Sequence, residues 1–257
     1  MAHITILGSS SGIPSPDRNS ASLILEQGNS LYQFDAGEGV SSSILKFKID
    51  HRKISTIIIS HTHPDHITGL FLELQMMLVA KRTAPLAVYL PDEVIEAVQK
   101  FMIATYVFPE RLGFDLAIKP VKPDPVFRDD NITVYARANS HLDHYKDVIE
   151  KAGYPNRMQS YSYVIKTDKE KIIYSGDVGS FDDYADLLDD CDLLITEGAH
   201  IDHEALFEKS SRCGLKHIIF THLLEPMYAD PEPIRALADK YGIADFRIAE
   251  DGLIVDI

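Results

Sequence analysis

The chain has 257 residues, 45% of them hydrophobic and 25% charged, which is the composition of an ordinary globular protein. Its net charge of −14 counts against extensive contact with nucleic acid, because proteins whose main partner is nucleic acid carry a basic face. No apolar stretch is long enough to cross a bilayer, so we expect no membrane contact. The isolated cysteines Cys191 and Cys213 lack metal-binding spacing and predict reduced thiols in a cytoplasmic protein without a secretion signal.

Strand patterns dominate the first part of the chain, and strands alternate with helices in the later part. The predicted strands cover residues 3–7, 22–26, 31–35, 56–60, 86–90, 115–119, 131–137, 161–166, 171–175, 192–196, 217–221, 246–249 and 253–256. The predicted helices cover residues 38–48, 64–81, 91–106, 180–189, 202–213 and 231–241. Such mixed strands, with helices in both halves and no linker-like stretch, predict one α/β domain over residues 1–257, a layered sandwich with helices outside two sheets.

Four potential metal ligands occur within six residues, directly after the predicted strand over residues 56–60. The sequence there is His61-Thr62-His63-Pro64-Asp65-His66. Side chains two apart in an extended segment point the same way, so His61 and His63 can share one ion. Asp65 and His66 follow Pro64, where the chain must turn, and can face a second ion. This density of nitrogen and oxygen donors predicts two metal ions held side by side.

Further ligand-type side chains follow other predicted strands. Asp177 and His222 come directly after apolar strands, and His141 follows another, with His144 as a competitor three residues later. Asp35 also ends a strand, and we expect it to orient either a metal-binding imidazole or the histidine loop by accepting hydrogen bonds. Loops that leave a rigid scaffold commonly carry chemistry, so these strand ends are candidate parts of one site.

Taken together, these motifs resemble the metallo-β-lactamase superfamily, and within it the ribonuclease Z branch. The resemblance covers essentially the whole chain. The Gly/Pro-rich opening over residues 7–19, which includes Pro14, is similar to the first loop of that branch, and Phe34-Asp35-Ala36-Gly37-Glu38-Gly39 is similar to its second motif. The resemblance implies a four-layer αβ/βα sandwich of two mixed sheets with outer helices.

The resemblance also implies a set of ligands for two divalent ions. His61, His63 and His141 would bind the first ion, and Asp65, His66 and His222 the second. Asp177 would bridge both ions, and a bridging carboxylate offsets the repulsion between two dications. Zinc is our first choice for the metal, with manganese or iron as alternatives, because a mixed nitrogen and oxygen site does not select sharply.

The expected reaction is hydrolysis of a phosphodiester, in which hydroxide generated between the two metals attacks phosphorus. Asp65 would bind a metal and also accept a proton from the nucleophile. Ribonuclease Z enzymes assist the leaving group with a glutamate and a histidine from two motifs. Glu197 fits the first position and His203 is the predicted counterpart for the second, with His200 as a rival.

The substrate is predicted to be a small phosphodiester or nucleotide. Ribonuclease Z enzymes carry a basic arm that grips tRNA, and no such arm is visible between His141 and Asp177. The alternatives are a tRNA 3′-processing endonuclease and a carbonyl hydrolase such as a lactonase, thioesterase or β-lactamase-like enzyme. The apolar helix over residues 64–81 and the resemblance to dimeric relatives predict a homodimer.

Overall fold

The computed structural model describes residues 2–13, 15–122 and 125–257, so Pro14 of the opening loop lies outside the described residues. The chain divides into two compact units, one formed by Met1–Val121 with Glu250–Asp256 and the other by Lys122–Ala249 with Ile257. Within the described residues, each unit contains one mixed sheet of seven strands, accompanied by helices. The predicted α/β class with two mixed sheets is therefore confirmed.

The sheet of the first unit is antiparallel at one side and parallel at the other. Its strands are β1 (His3–Gly8), β2 (Ser22–Gln27), β3 (Ser30–Phe34), β4 (Ile54–Ile58), β5 (Leu86–Leu90), β6 (Leu116–Pro120) and β14 (Ile254–Asp256). They lie in the order β14-β1-β2-β3-β4-β5-β6, and pairing becomes parallel from β3 onward. The helices of this unit are α1 (Val40–Lys46), α2 (Pro64–Ile67), α3 (Gly69–Val79) and α4 (Ile95–Ala104).

The helix predicted over residues 64–81 is two helices, because α2 ends at Ile67 and α3 begins at Gly69. The chain passes very close to a neighbouring loop at this break. A Cβ atom on Gly69 would lie 2.0 Å from the carbonyl oxygen of Gly37, so only glycine fits there. The close approach holds the start of α3 against the loop that follows β3.

The second unit repeats the pattern of antiparallel followed by parallel pairing. Its strands are β7 (Phe127–Arg128), β8 (Thr133–Ala138), β9 (Tyr161–Lys166), β10 (Lys171–Tyr174), β11 (Leu193–Glu197), β12 (His217–Thr221) and β13 (Asp245–Ile248). They lie in the order β13-β12-β11-β10-β9-β8-β7, and the pairs from β10 to β13 are parallel. The helices of this unit are α5 (Lys146–Ala152), α6 (His203–Cys213), α7 (Glu225–Ala229) and α8 (Glu232–Lys240).

The prediction of a helix over residues 180–189 is wrong. That segment forms two short 3-10 turns, Phe181–Asp183 and Ala185–Leu187, and the first begins with a capping box at Ser180. The short elements α5, α7 and β7 were not predicted, and neither α5 nor α7 has a buried residue that would give a periodic apolar signal. In the described part of the chain, no helix is long and apolar enough to cross a membrane.

Candidate metal centre

The predicted histidine cluster forms one compact group in the first unit, in the loop after β4 and in α2. His63 has extended backbone and immediately precedes α2, with Pro64 in the first helical position. The ring centroid of His61 lies 4.8 Å from that of His63 and 4.1 Å from that of His66. His66 Nε2 lies 3.5 Å from Asp65 Oδ2. The structure therefore brings together the four candidate ligands of this unit.

Asp35 supports this cluster from the end of β3. Its buried carboxylate accepts hydrogen bonds from the backbone nitrogen of Ser60 at 2.7 Å and from the Ser60 hydroxyl at 2.9 Å. Asp35 Oδ2 also lies 2.8 Å from His66 Nδ1, as the sequence predicted for a residue that orients an imidazole. A proton on Nδ1 leaves the Nε2 lone pair of His66 for a metal ion.

Ser60 was not singled out by the sequence, although it directly precedes His61. Its hydroxyl lies 3.0 Å from His61 Nδ1 and donates to Asp35. The sequence signal for Ser60 was its place between a buried strand and the first histidine. Serine at a strand end has many roles, so that place alone does not indicate a contact with His61. The contact makes Ser60 a link between Asp35 and His61.

The candidate ligands of the second unit also converge. Asp177 follows β10, and its Oδ2 atom lies 3.7 Å from His141 Nε2 and 3.3 Å from His222 Nε2. All three side chains are buried. Asn139 holds two of them, because its Nδ2 donates to the Asp177 carbonyl at 3.0 Å and its Oδ1 accepts from the His141 backbone at 3.2 Å. One carboxylate oxygen thus faces ring nitrogens from two different strand ends.

The donor chemistry of both groups fits divalent metal ions. In each unit, imidazole Nε2 atoms and carboxylate oxygens are directed toward one another in buried or half-buried surroundings. With its Nδ1 proton directed at Asp35, a neutral His66 has no proton on Nε2 to donate to Asp65, whereas a metal ion is bound by both kinds of atom. Nitrogen and oxygen donors suit zinc and also iron or manganese, so the donor set fits a divalent ion but does not identify the metal.

Glu197 at the end of β11 contacts His200. Its buried carboxylate accepts hydrogen bonds from the backbone nitrogens of Ala199 at 2.6 Å and His200 at 2.9 Å. Its Oε1 atom lies 3.2 Å from His200 Nδ1. The His200 ring is half exposed and lies 5.5 Å from the ring of His141 and 6.3 Å from that of His222. His200 therefore stands beside the candidate ligands of its unit.

His203, the predicted partner of Glu197, has a different contact. It is the first residue of α6, and its Nε2 atom lies 2.8 Å from the carbonyl oxygen of Gly198. Its ring lies 5.2 Å from that of Phe220. His144, the competitor of His141, likewise has its Nδ1 atom 2.8 Å from the backbone carbonyl of His141. Both rings thus contact backbone oxygens through one nitrogen.

Residues 33–232 match the family model of the beta-lactamase superfamily domain. The chain therefore belongs to the β-lactamase superfamily, which confirms the resemblance to the metallo-β-lactamase class. Its resemblance to ribonuclease Z is also confirmed by relatives with that name. The ribonuclease Z of Methanosarcina acetivorans is 23% identical over an alignment of 304 positions that covers 100% of this chain and 98% of the relative. The ribonuclease Z of Treponema pallidum is 34% identical over 142 positions, covering 55% of this chain and 44% of the relative.

Solved structures of similar proteins show the same fold over nearly the whole chain. The metallo-beta-lactamase fold protein YhfI from Bacillus subtilis superimposes with a TM-score of 0.78 at 19% identity, covering 99% of this chain and 98% of that one. Human tRNase Z, short form, gives 0.72 at 21% identity and covers 99% of both chains. A diphosphatase of the PhnP family gives 0.68 at 18% identity, covering 100% of this chain and 98% of that one. At these identities, the likeness establishes the fold.

Proposed function

We propose that this chain is a metal-dependent phosphodiesterase that acts on small phosphodiesters or nucleotides. The observation that carries the proposal is the set of imidazole nitrogens and carboxylate oxygens that converge at the strand ends of each unit. Membership of the β-lactamase superfamily and the relatives named ribonuclease Z support a metal-dependent hydrolase acting on phosphodiester bonds. The similar fold of a diphosphatase agrees with that class of substrate.

The ligand assignment that we propose is the one that the resemblance to the ribonuclease Z branch implies, within one hydrolase domain over residues 1–257. The first ion would be held by His61, His63 and His141, and the second by Asp65, His66 and His222, with Asp177 shared by the two. Bound metals would lower the pKa of water and stabilise charge on the phosphoryl oxygens. Zinc remains the first choice for its affinity to imidazole, with manganese and iron as alternatives.

The remaining chemistry would be proton transfer by side chains of the chain itself. Asp65 would accept a proton from the attacking water, since its carboxylate is half-buried beside His66. For the leaving group we favour His200 as the proton donor, because Glu197 contacts its Nδ1 atom and would orient the ring. His203 stays the alternative donor that the sequence predicted.

The size of the substrate is inferred from the chain between His141 and Asp177. The segment from His141 to β9 contains one helix of seven residues, α5, preceded by a 3-10 turn. The alignment with the Methanosarcina acetivorans enzyme spans 304 positions against 257 residues here, so that enzyme has additional segments. A net charge of −14 also disfavours a folded RNA, whose binding depends on many phosphate contacts.

An exposed pair of rings would suit a nucleobase. The rings of His144 and Tyr145 are tilted by 40° with centroids 3.9 Å apart, and Tyr145 is 41% exposed. His144 in turn contacts the backbone of His141, a proposed ligand. Bases stack on aromatic side chains with little regard to sequence, so this pair favours nucleotides over simple alkyl diesters.

The second candidate function is tRNA 3′ processing, as the names of the relatives suggest. The deciding experiment compares bis-p-nitrophenyl phosphate, cyclic nucleotides and a 3′-extended precursor tRNA on metal-replete protein, with a lactone, a thioester and a β-lactam as carbonyl controls. Cleavage of the small diesters alone would support our proposal. Efficient and correctly placed cleavage of the tRNA would replace it with the nuclease, and turnover of the carbonyl controls alone would indicate hydrolysis at carbon.

A homodimer is proposed from the surface of the first unit. Apolar side chains on α3 and α4 are largely exposed, with Leu72 at 58%, Val79 at 73% and Ile103 at 56%. Phe71 and Phe101 contact each other across these helices, with ring centroids 4.4 Å apart. Exposed apolar residues on neighbouring helices commonly mark protein contacts. Sedimentation of the full chain and of Leu72→Asp tests this, because the charged variant should be monomeric if the face is an interface.

We also propose a cytoplasmic location. Cys191 and Cys213 are both free thiols, as expected in a reducing compartment. Fractionation of cells that express the full chain tests the proposal.

A further inference from the structure

A glutamate and a glutamine are buried together in the core of the first unit. Glu73 on α3 and Gln33 on β3 both have no exposed surface. Gln33 Nε2 donates to Glu73 Oε2 at 2.9 Å. Among the described residues, Gln33 Oε1 and Glu73 Oε1 have no hydrogen-bond partner. The neighbours of Glu73 on the inner face of α3, which include Leu70, Leu74 and Met77, belong to the apolar core of the unit.

Burying a glutamate and a glutamine in an apolar core is energetically unfavourable. Burial of a carboxyl group costs free energy even when it is hydrogen-bonded, and each unsatisfied oxygen adds to that cost. Apolar residues of similar volume commonly replace buried polar pairs without loss of stability, and often with a gain. Packing alone therefore gives no reason for this pair, so its contacts with the rest of the unit matter.

The pair contacts the support of the histidine cluster. The same Gln33 Nε2 atom donates to the backbone carbonyl of Asp35 at 3.1 Å, which also accepts from the Ser22 hydroxyl at 2.9 Å. Asp35 has a φ of 58°, in the left-handed region that residues with a Cβ atom rarely adopt. An anchored carbonyl stabilises that conformation, which in turn directs the carboxylate toward His66 and Ser60.

We propose that Glu73 and Gln33 are positioning residues that set the affinity of the metal site by fixing Asp35, and through it His66. The inference rests on the proposed function, since it assigns His66 to a metal ion. Glu73 fixes the Gln33 amide, the amide fixes the Asp35 carbonyl, and the Asp35 carboxylate holds Nδ1 of His66. Each step is a contact between buried groups. Loss of the Glu73 or Gln33 side chain should therefore alter the position of Asp35 and, through it, the orientation of the His66 ring.

The test measures Zn²⁺ affinity of the full chain by competition with a chelator, beginning from metal-free protein. Glu73→Leu and Gln33→Met remove the anchor with side chains of similar volume, and we expect each to weaken Zn²⁺ binding about tenfold. Glu73→Gln keeps an oxygen acceptor for the Gln33 amide and should bind Zn²⁺ within about threefold of the wild type. Met77→Leu, on the same buried face of α3, is the matched packing control and should not change the affinity.

A second readout needs no metal. The ring nitrogen chemical shifts of His66 in the metal-free protein report its tautomer and hydrogen bond, and the two anchor-removing variants should shift or broaden them while Met77→Leu should not. Unchanged His66 signals and unchanged Zn²⁺ affinity in both variants would overturn the inference. If the wild type itself bound no Zn²⁺, the proposed function would fail, and the His66 signals would still decide whether the pair positions that ring.

Discussion

His66 and Asp35 form a buried contact in which Nδ1 lies 2.8 Å from Oδ2, and neither side chain has more than 1% of its surface exposed. The contact selects the imidazole tautomer that leaves Nε2 available, on the side where Asp65 lies. Ser60 donates twice to the same carboxylate, so Asp35 is fixed independently of any ion. The first unit therefore holds the imidazole of one proposed ligand in the tautomer that could bind a metal ion.

Removal of the Asp35 carboxylate should weaken metal binding. We expect Asp35→Ala to lower Zn²⁺ affinity by about 10-fold to 100-fold, the usual effect of losing a partner that orients a metal-binding histidine. Isothermal titration of the metal-free variant with Zn²⁺ measures this. Asp50→Asn changes a carboxylate of the same unit whose contacts are with Arg52, and it should bind like the wild type. Wild-type affinity in Asp35→Ala would mean that His66 is not a ligand.

Loss of a proposed ligand should abolish the activity and leave the fold intact. His63→Ala and Asp65→Ala alter side chains that are only half-buried, so neither change should open a core cavity. We expect hydrolysis of bis-p-nitrophenyl phosphate to fall at least about 100-fold in each variant, because ligand geometry controls the acidity of the water. Circular dichroism confirms the fold. Two folded variants with normal turnover would show that the site is assigned wrongly.

The proton donor can be identified by comparing how each variant hydrolyses substrates with good and poor leaving groups. A poor leaving group such as an alkoxide needs protonation, whereas p-nitrophenolate leaves without it. We therefore expect His200→Ala and Glu197→Gln to slow an alkyl diester by about 10²-fold to 10⁴-fold and to affect bis-p-nitrophenyl phosphate much less. His203→Ala is the control, since its ring contacts the Gly198 carbonyl. The opposite ranking of the two histidine variants would restore His203 as the donor.

The sequence placed the candidate ligands correctly at strand ends because two short-range signals coincide there. An apolar run marks each buried strand, and the ligand-type residue follows within a few positions: Asp177 lies three residues after β10, and His222 directly follows β12. The helix break at Gly69 was missed because its cause is distant in sequence. The carbonyl of Gly37, which forbids a side chain at Gly69, becomes visible only in the folded unit.

Side-chain partners were less predictable than positions. His203 was preferred over its rival His200 as the partner of Glu197, yet the Glu197 carboxylate accepts from the turn that contains His200. The two histidines are only three residues apart, so the choice between them depends on loop geometry. Arg82 gave no signal at all. An arginine in a sequence is normally expected to be exposed. Arg82 is buried instead, and it donates to the backbone carbonyls of His51, Ile54, Ala84 and Pro85.

The Glu73 carboxyl should make stability depend on pH in a defined window. Burial raises its pKa from 4.5 to about 7, against the opposing effects of the Gln33 hydrogen bond and the charge of Arg82. The folded state therefore keeps a proton that the unfolded chain releases above about pH 4.5, so stability falls as the pH rises from about 4.5 to 7. The ionised form should cost on the order of 3 kcal/mol above that window.

Glu73→Gln removes this titration and keeps the amide contact with Gln33. In urea unfolding of the metal-free protein, we expect the variant to match the wild type near pH 4.5 and to become progressively more stable than it up to about pH 7, with a constant difference well above that pH. Glu96→Gln on α4 is the control, because Lys100 lowers the pKa of that exposed carboxyl and moves its titration below the window. A difference between Glu73→Gln and the wild type that stays constant with pH would show that Glu73 does not titrate there, and its burial would then affect stability through packing alone.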